Sequence, residues 1–158
     1  MSDALVFAAA FAALFAAHMV GDHWIQSDHS ATRKGLTTEQ ACAAGLHQHA
    51  GRRACATHVA SYTAVAALAL VLVAWRTGLD FDWTRIVAGL AFSAGTHYWA
   101  DRRFTLRRVC VRLGKERFYL HGAPRDGHDD NPSLGTGAYA LDQSFHIACL
   151  FIAALIIA

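Results

Sequence analysis

The charged residues of this chain are confined to the connections between four long uncharged runs, and this constrains its fold more than any other feature. Residues 4–20, "ALVFAAAFAALFAAHMV", hold no Asp, Glu, Lys or Arg. A second such run covers 54–75, a third 86–100, and a fourth runs from about Gly135 to Ala158, broken by Asp142 alone. A helix that crosses a bilayer needs about 20 mainly apolar residues. The second and fourth runs meet that length. The first meets it if it continues past Gly21 to the polar boundary, and the third is short. All four are rich in Ala and Leu, so helix is their natural state. Their Gly and Ser residues would let membrane helices approach closely.

A soluble bundle of four buried helices is the alternative. It would need a polar stripe at helical period on each outer helix, and no run has one. At 158 residues the chain suits one domain. Its 54% hydrophobic and 16% charged composition is apolar for a soluble protein. The expected fold is therefore all-α, a four-helix transmembrane bundle forming a single integral-membrane domain over 1–158. The helices are expected at about 4–26, 54–76, 85–103 and 138–158, joined by connections at about 27–53 and 104–137. The short charged stretches between them read as ordinary loops. Asp3 is the only charge before the first run, so a secretory signal with a basic start is not indicated, and the run reads as a retained helix. The four cysteines, Cys42, Cys55, Cys110 and Cys149, form no Cys-x-x-Cys pair and read as free thiols.

Lys and Arg set the orientation. The stretches 21–53 and 101–137 carry twelve of the fourteen basic residues, leaving only Arg76 and Arg85 elsewhere. With four spans, both basic connections lie on one side. That side is expected to be cytoplasmic, with both termini outside and the protein in the inner (plasma) membrane. Trp24, Trp75, Trp83 and Trp99 fall near expected helix ends, where an aromatic belt would lie. The basic face suits anionic lipid headgroups. No nucleic-acid recognition motif accompanies it, so nucleic acid is not an expected partner, and a homo-oligomer is left open.

The uncharged runs are bounded by a repeated spacing. His18 and Asp22 are four apart at the end of the first helix, and His97 and Asp101 at the end of the third. Asp142 and His146 are four apart at the start of the fourth, and His58 lies near the start of the second. Residues at i and i+4 share one helix face. In a four-span topology all these helix ends lie at the cytoplasmic face. Taken singly, each pair could be a helix-end ion pair, and Asp142 could simply favour the helix dipole. Burying ionisable groups beside lipid is costly, however, unless they pair or bind metal. The threefold repetition at one face therefore points to a metal site of His18, Asp22, His58, His97, Asp101, Asp142 and His146.

Imidazole and carboxylate suit a divalent transition metal, zinc above all, with manganese or iron as alternatives. Seven groups exceed one tetrahedral shell. Two ions would account for the surplus, as would one ion with a surrounding layer of His–Asp hydrogen bonds. A bound water of lowered pKa would be the nucleophile, with an unligated Asp, Asp22 for example, as general base. Gln26 and Gln143 are poor metal ligands and suit substrate orientation. Lys34, read as an exposed loop charge, would hold an anionic lipid or other phosphate-containing substrate.

Together "HMVGDHWIQSDHSATRKG", "ACATHVASYT", "THYWADRR" and "GTGAYALDQSFH" resemble an uncharacterised family of small bacterial and phage polytopic membrane proteins. Its pattern is His-x3-Asp-x3-Gln, then Lys, a His opening the second helix, His-x3-Asp, and Asp-Gln-x2-His. The resemblance implies a shared site at His18, Asp22, Gln26, Lys34, His58, His97, Asp101, Asp142, Gln143 and His146. It implies no reaction. The pattern is also distantly similar to integral-membrane metal-dependent hydrolases that place His and Asp at helix ends.

The remaining motifs say less. His47 and His49 read as a solvated loop, and residues 122–139, which include His128, as a lid rich in turn residues. No Ser sits in a nucleophile-elbow pattern. Three functions fit: a metal-dependent hydrolase at the cytoplasmic membrane face, a metal or proton transporter, or a non-catalytic membrane protein whose polar cluster ties helices together. Bare outer segments such as "LALVLVA" argue against transport.

Overall fold

The computed structural model describes residues 2–123 and 136–158. Among these residues the regular structure is helical and no strand occurs. Helix α1 (Asp3–Val20) runs into a π-helical turn at Gly21–Ile25. Two short helices follow, α2 (Asp28–Arg33) and α3 (Thr38–Ala43), and then the long α4 (Ala50–Thr77) and α5 (Trp83–Asp101). The short α6 (Phe104–Arg112) and α7 (Glu116–Tyr119) precede α8 (Gly137–Ile157).

Three stretches are long and apolar enough to cross a membrane: Asp3–Ile25, Ala50–Thr77 and Gly137–Ile157. The 19-residue α5 is not among them, in keeping with the shortness of the third uncharged run. The charged connections are not simple loops, because four short helices lie in them. Local capping explains the first two. The Ser27 hydroxyl accepts from the Ser30 backbone N–H at the start of α2. At α3, Thr37 and Gln40 form a reciprocal capping box. Of the stretch expected to form a lid, residues 124–135 lie outside the described residues.

Helix α1 packs against α4 and α8, and α5 packs against α8 and α4. The core between them is built from Val6, Ala10, Leu14, Tyr62, Ala66, Leu70, Leu150, Ala153 and Ile157. Gly89 permits the close α5–α8 approach, since a Cβ there would fall 2.6 Å from Ile157 Cγ1 and 2.9 Å from the Ala153 carbonyl oxygen. At the turn between α4 and α5, Gly78 takes the left-handed conformation at φ 68°. Asp82 then caps α5 by accepting from the backbone N–H groups of Arg85 and Thr84, which hold its carboxyl below the usual range. Large apolar side chains, among them Leu68, Leu72, Phe151 and Leu155, face outward from α4 and α8. An outer surface of this kind is stable in lipid and a liability in water.

Candidate metal centre

The helix ends set the site. His18 lies in the last turn of α1, and Asp22 in the π-helical turn beyond it. His97 and Asp101 close α5, Asp142 and His146 open α8, and His58 lies just over two turns into α4. His18, His58, His97, Asp101 and His146 are all buried, at no more than 2% exposure each. The π-helical turn is a local feature that i, i+4 reasoning does not foresee. The Gln26 N–H donates to the Gly21 carbonyl five residues back, at 3.0 Å. A widened turn of this kind re-aims the side chains beyond it and recurs at functional sites. Gly21 also lets the chain cross α4, because a Cβ there would lie 3.2 Å from Tyr62 Cδ2.

Four ligand atoms from three elements meet at one point. His58 Nε2 and His97 Nε2 are 3.1 Å apart. Asp22 Oδ1 lies 3.3 Å from the first nitrogen and 3.4 Å from the second. Asp101 Oδ2 lies 3.2 Å from the first and 3.3 Å from the second. Metal–ligand bonds of about 2.0–2.1 Å require tetrahedron edges of about 3.3–3.4 Å. The five separations that include a nitrogen, 3.1–3.4 Å, lie within about 0.3 Å of that edge.

Hydrogen bonding accounts for only part of the arrangement, since His58 Nε2 and His97 Nε2 are within hydrogen-bond distance of each other. Asp22 Oδ1 and Asp101 Oδ2 are both buried without a hydrogen-bond partner, although imidazole nitrogens stand close by. Native proteins rarely leave such atoms unsatisfied. A cation beside the two imidazole nitrogens would give such an oxygen a partner, and His58, His97 and Asp101 together could hold a metal ion.

A second, looser group adjoins the first. His146 Nε2 is 3.6 Å from Asp142 Oδ1 and 3.9 Å from Asp101 Oδ1, and it too is buried with no hydrogen-bond partner. Asp101, Asp142 and His146 together could hold a metal ion, as could His18, Asp22 and His97. Asp101 thus offers one oxygen to each of two neighbouring positions. His18 Nδ1 is 3.6 Å from Asp22 Oδ2, and its Nε2 is bonded to Gln143 Oε1 at 3.3 Å.

Lys34 differs from its expected role. It is buried, not exposed, and its Nζ sits 2.8 Å from Asp101 Oδ1. It is a counter-charge of the cluster as well as a wall of the cavity described below. Three further residues that the sequence reading did not single out support the site. Arg102, 7% exposed, donates to the carbonyls of Lys34 and Leu36 at 2.9 and 2.6 Å, which pins the segment that carries Lys34. Tyr62 stacks on the His97 ring with centroids 4.0 Å apart, and its hydroxyl is 2.7 Å from Ser93 Oγ. Arg102 and Tyr62 lie within the segments "THYWADRR" and "ACATHVASYT" that carry the family resemblance, and Ser93 is one of the small residues of the third run. His47 and His49 are exposed and belong to no potential metal group among the described residues. The four cysteines are free.

A cavity of about 440 Å³ opens beside the cluster. Asp22, Asp101 and Asp142 line it together with Gln26, Lys34 and Gln143. Gln26 Nε2 is buried without a hydrogen-bond partner. Tyr119 also lines the cavity, and burial pushes its phenol above the usual range, so it stays a donor at neutral pH.

A family model described as "Protein of unknown function (DUF3307)" matches residues 10–158, a span that contains every residue of the cluster. The chain belongs to this family. No curated protein matches it, and no solved structure does.

Proposed function

We propose that the protein is a membrane-embedded, metal-dependent hydrolase that works at the cytoplasmic face, with four spans forming a bundle and both termini outside. The observation that carries this reading is the convergence of Asp22 and Asp101 on His58 and His97, with each carboxylate oxygen 3.2–3.4 Å from both imidazole nitrogens and otherwise unsatisfied. These four residues would hold one ion. Asp101, Asp142 and His146 would hold a second beside it, with three protein ligands and room for a further one on the cavity side. A position with three protein ligands and room for water is the arrangement expected of a catalytic metal. Bound there, zinc, manganese or iron would supply Lewis acidity and an activated water.

The chain's own residues have separate tasks in this reading. Asp142, half-buried at the cavity wall, would hold the second ion through one carboxylate oxygen and leave the other free to exchange a proton with water or a leaving group. Gln26 and Gln143 orient a substrate, and Lys34 balances Asp101 while facing the same space. Transport is disfavoured by the opposite half of the helix interface, where Val6, Ala10, Leu70 and Ile157 are the buried groups. A purely structural cluster is disfavoured by its orphaned atoms, since a network that serves only to tie helices together gains from satisfying every member.

The test is metal analysis of detergent-purified protein beside hydrolysis of nitrophenyl phosphate and carboxylate esters. The wild type should retain about one or two ions per chain. His58→Ala and His146→Ala should each lose metal and activity, while His47→Ala keeps both. Folded wild type that takes up no transition metal would end this reading.

A further inference from the structure

Arg103, which follows the cluster residue Asp101 by two positions, is held in an unfavourable backbone conformation. Its φ of 56° and ψ of −54° make it the only non-glycine residue with positive φ among the described residues. The Phe104 N–H donates across it to the Arg102 carbonyl at 2.6 Å, which closes a three-residue γ-turn of the rare, strained hand. Glycine would adopt this turn at less cost. Strain kept on a side chain at a cavity is the pattern of a functional residue.

The surroundings fix that side chain. Arg103 Nη2 donates to the Ala31 carbonyl at 3.1 Å. Gly35 leaves the room it needs, because a Cβ there would fall 2.8 Å from Arg103 Cδ and 3.2 Å from its Cγ. Arg103 lines the cavity with Lys34, Tyr119 and Tyr139, and these donors face a space shared with Asp22, Asp101 and Asp142. Such a cavity carries both signs of charge. Alone, its three carboxylates repel an anion. With divalent cations on them, every part of the wall attracts one. A planar guanidinium is the group best matched to the paired oxygens of a phosphate.

Building on the hydrolase reading above, we propose that the cavity binds the phosphate group of the substrate, that Arg103 is the residue that recognises it, and that it binds only when the metal is in place. The phosphate could belong to a lipid headgroup or to a soluble molecule. The cavity lies at the same helix ends as the exposed Trp24 and Ile25, so both sources can reach it.

The experiment titrates inorganic phosphate into zinc-loaded protein in detergent by calorimetry, for wild type, Arg103→Gln and Arg103→Gly, with a chelated wild type alongside. Zinc-loaded wild type should bind phosphate and the chelated protein should not. Both variants should retain zinc but lose at least about tenfold in phosphate affinity, the loss expected for one charge-assisted hydrogen bond. Arg103→Gly should also melt no lower than Arg103→Gln, because glycine relieves the turn. A residue that merely clips α2 would leave phosphate affinity unchanged.

A second arm repeats the titration in nanodiscs of phosphatidylcholine with and without phosphatidic acid. Weaker phosphate binding in the phosphatidic acid discs identifies a lipid headgroup as the competitor, and equal binding identifies a soluble phosphate. Zinc-loaded wild type that ignores phosphate, or variants that bind it as the wild type does, would overturn the proposal. Folded wild type that holds none of zinc, manganese and iron would instead overturn the hydrolase reading on which it rests.

Discussion

Lys34→Met tests the electrostatics of the cluster most directly. Methionine keeps the length and apolar stem of lysine and removes only the ammonium. In the wild type that ammonium lies 2.8 Å from Asp101 Oδ1, with the two side chains only 10% and 3% exposed. Solvent therefore does little to screen the loss. Removing one partner of a buried ion pair typically costs about 3–5 kcal/mol, because the other charge stays behind uncompensated. In a chain of this size each kcal/mol moves the midpoint by about 2–4 °C, so the metal-free variant should melt roughly 6–20 °C below metal-free wild type.

Zinc changes the answer. A cation held by Asp101 Oδ2 supplies the charge that Lys34 no longer does, so the deficit should shrink when both proteins are zinc-loaded. Thermal unfolding in detergent, with chelator and with saturating zinc, gives the four midpoints required. If Lys34→Met matches wild type in chelator, Lys34 is not the counter-charge of Asp101 and the electrostatic picture is wrong. An equal deficit with and without zinc would break the link between this ion pair and the metal position.

Two further substitutions probe the scaffold. Arg102→Ala removes both hydrogen bonds to the Lys34 and Leu36 carbonyls and should cost about 2–4 kcal/mol in a denaturation midpoint. Arg102→Lys should recover only part of that, since one ammonium cannot reproduce the fork, and full recovery would refute the clasp. Gly89→Leu forces atoms into Ile157 and the Ala153 carbonyl and should lower stability by about 1–3 kcal/mol in thermal unfolding. An unchanged midpoint would mean that α5 and α8 are not closely packed there.

Local regularities were legible in the sequence. Four uncharged runs mark the long helices because the absence of charge and the high helix propensity are properties of each segment by itself. The spacing of His18 with Asp22, of His97 with Asp101 and of Asp142 with His146 follows from 3.6 residues per turn, and the charged atoms of these pairs lie 3.3–3.6 Å apart. What the sequence could not decide was which atoms meet across elements. Asp22 stands against His58 and His97 because a widened turn follows Gly21 and α1 crosses α4 there. Lys34, an ordinary loop lysine by its neighbours, is buried because Arg102, far along the chain, draws the carbonyls around it inward. Arg103 occupies a strained turn that nothing in "DRRF" announces. Helical spacing is decided within a few residues, so the sequence shows it. The partners of a buried charge are decided by whichever distant segment packs against it, and only the folded chain determines that.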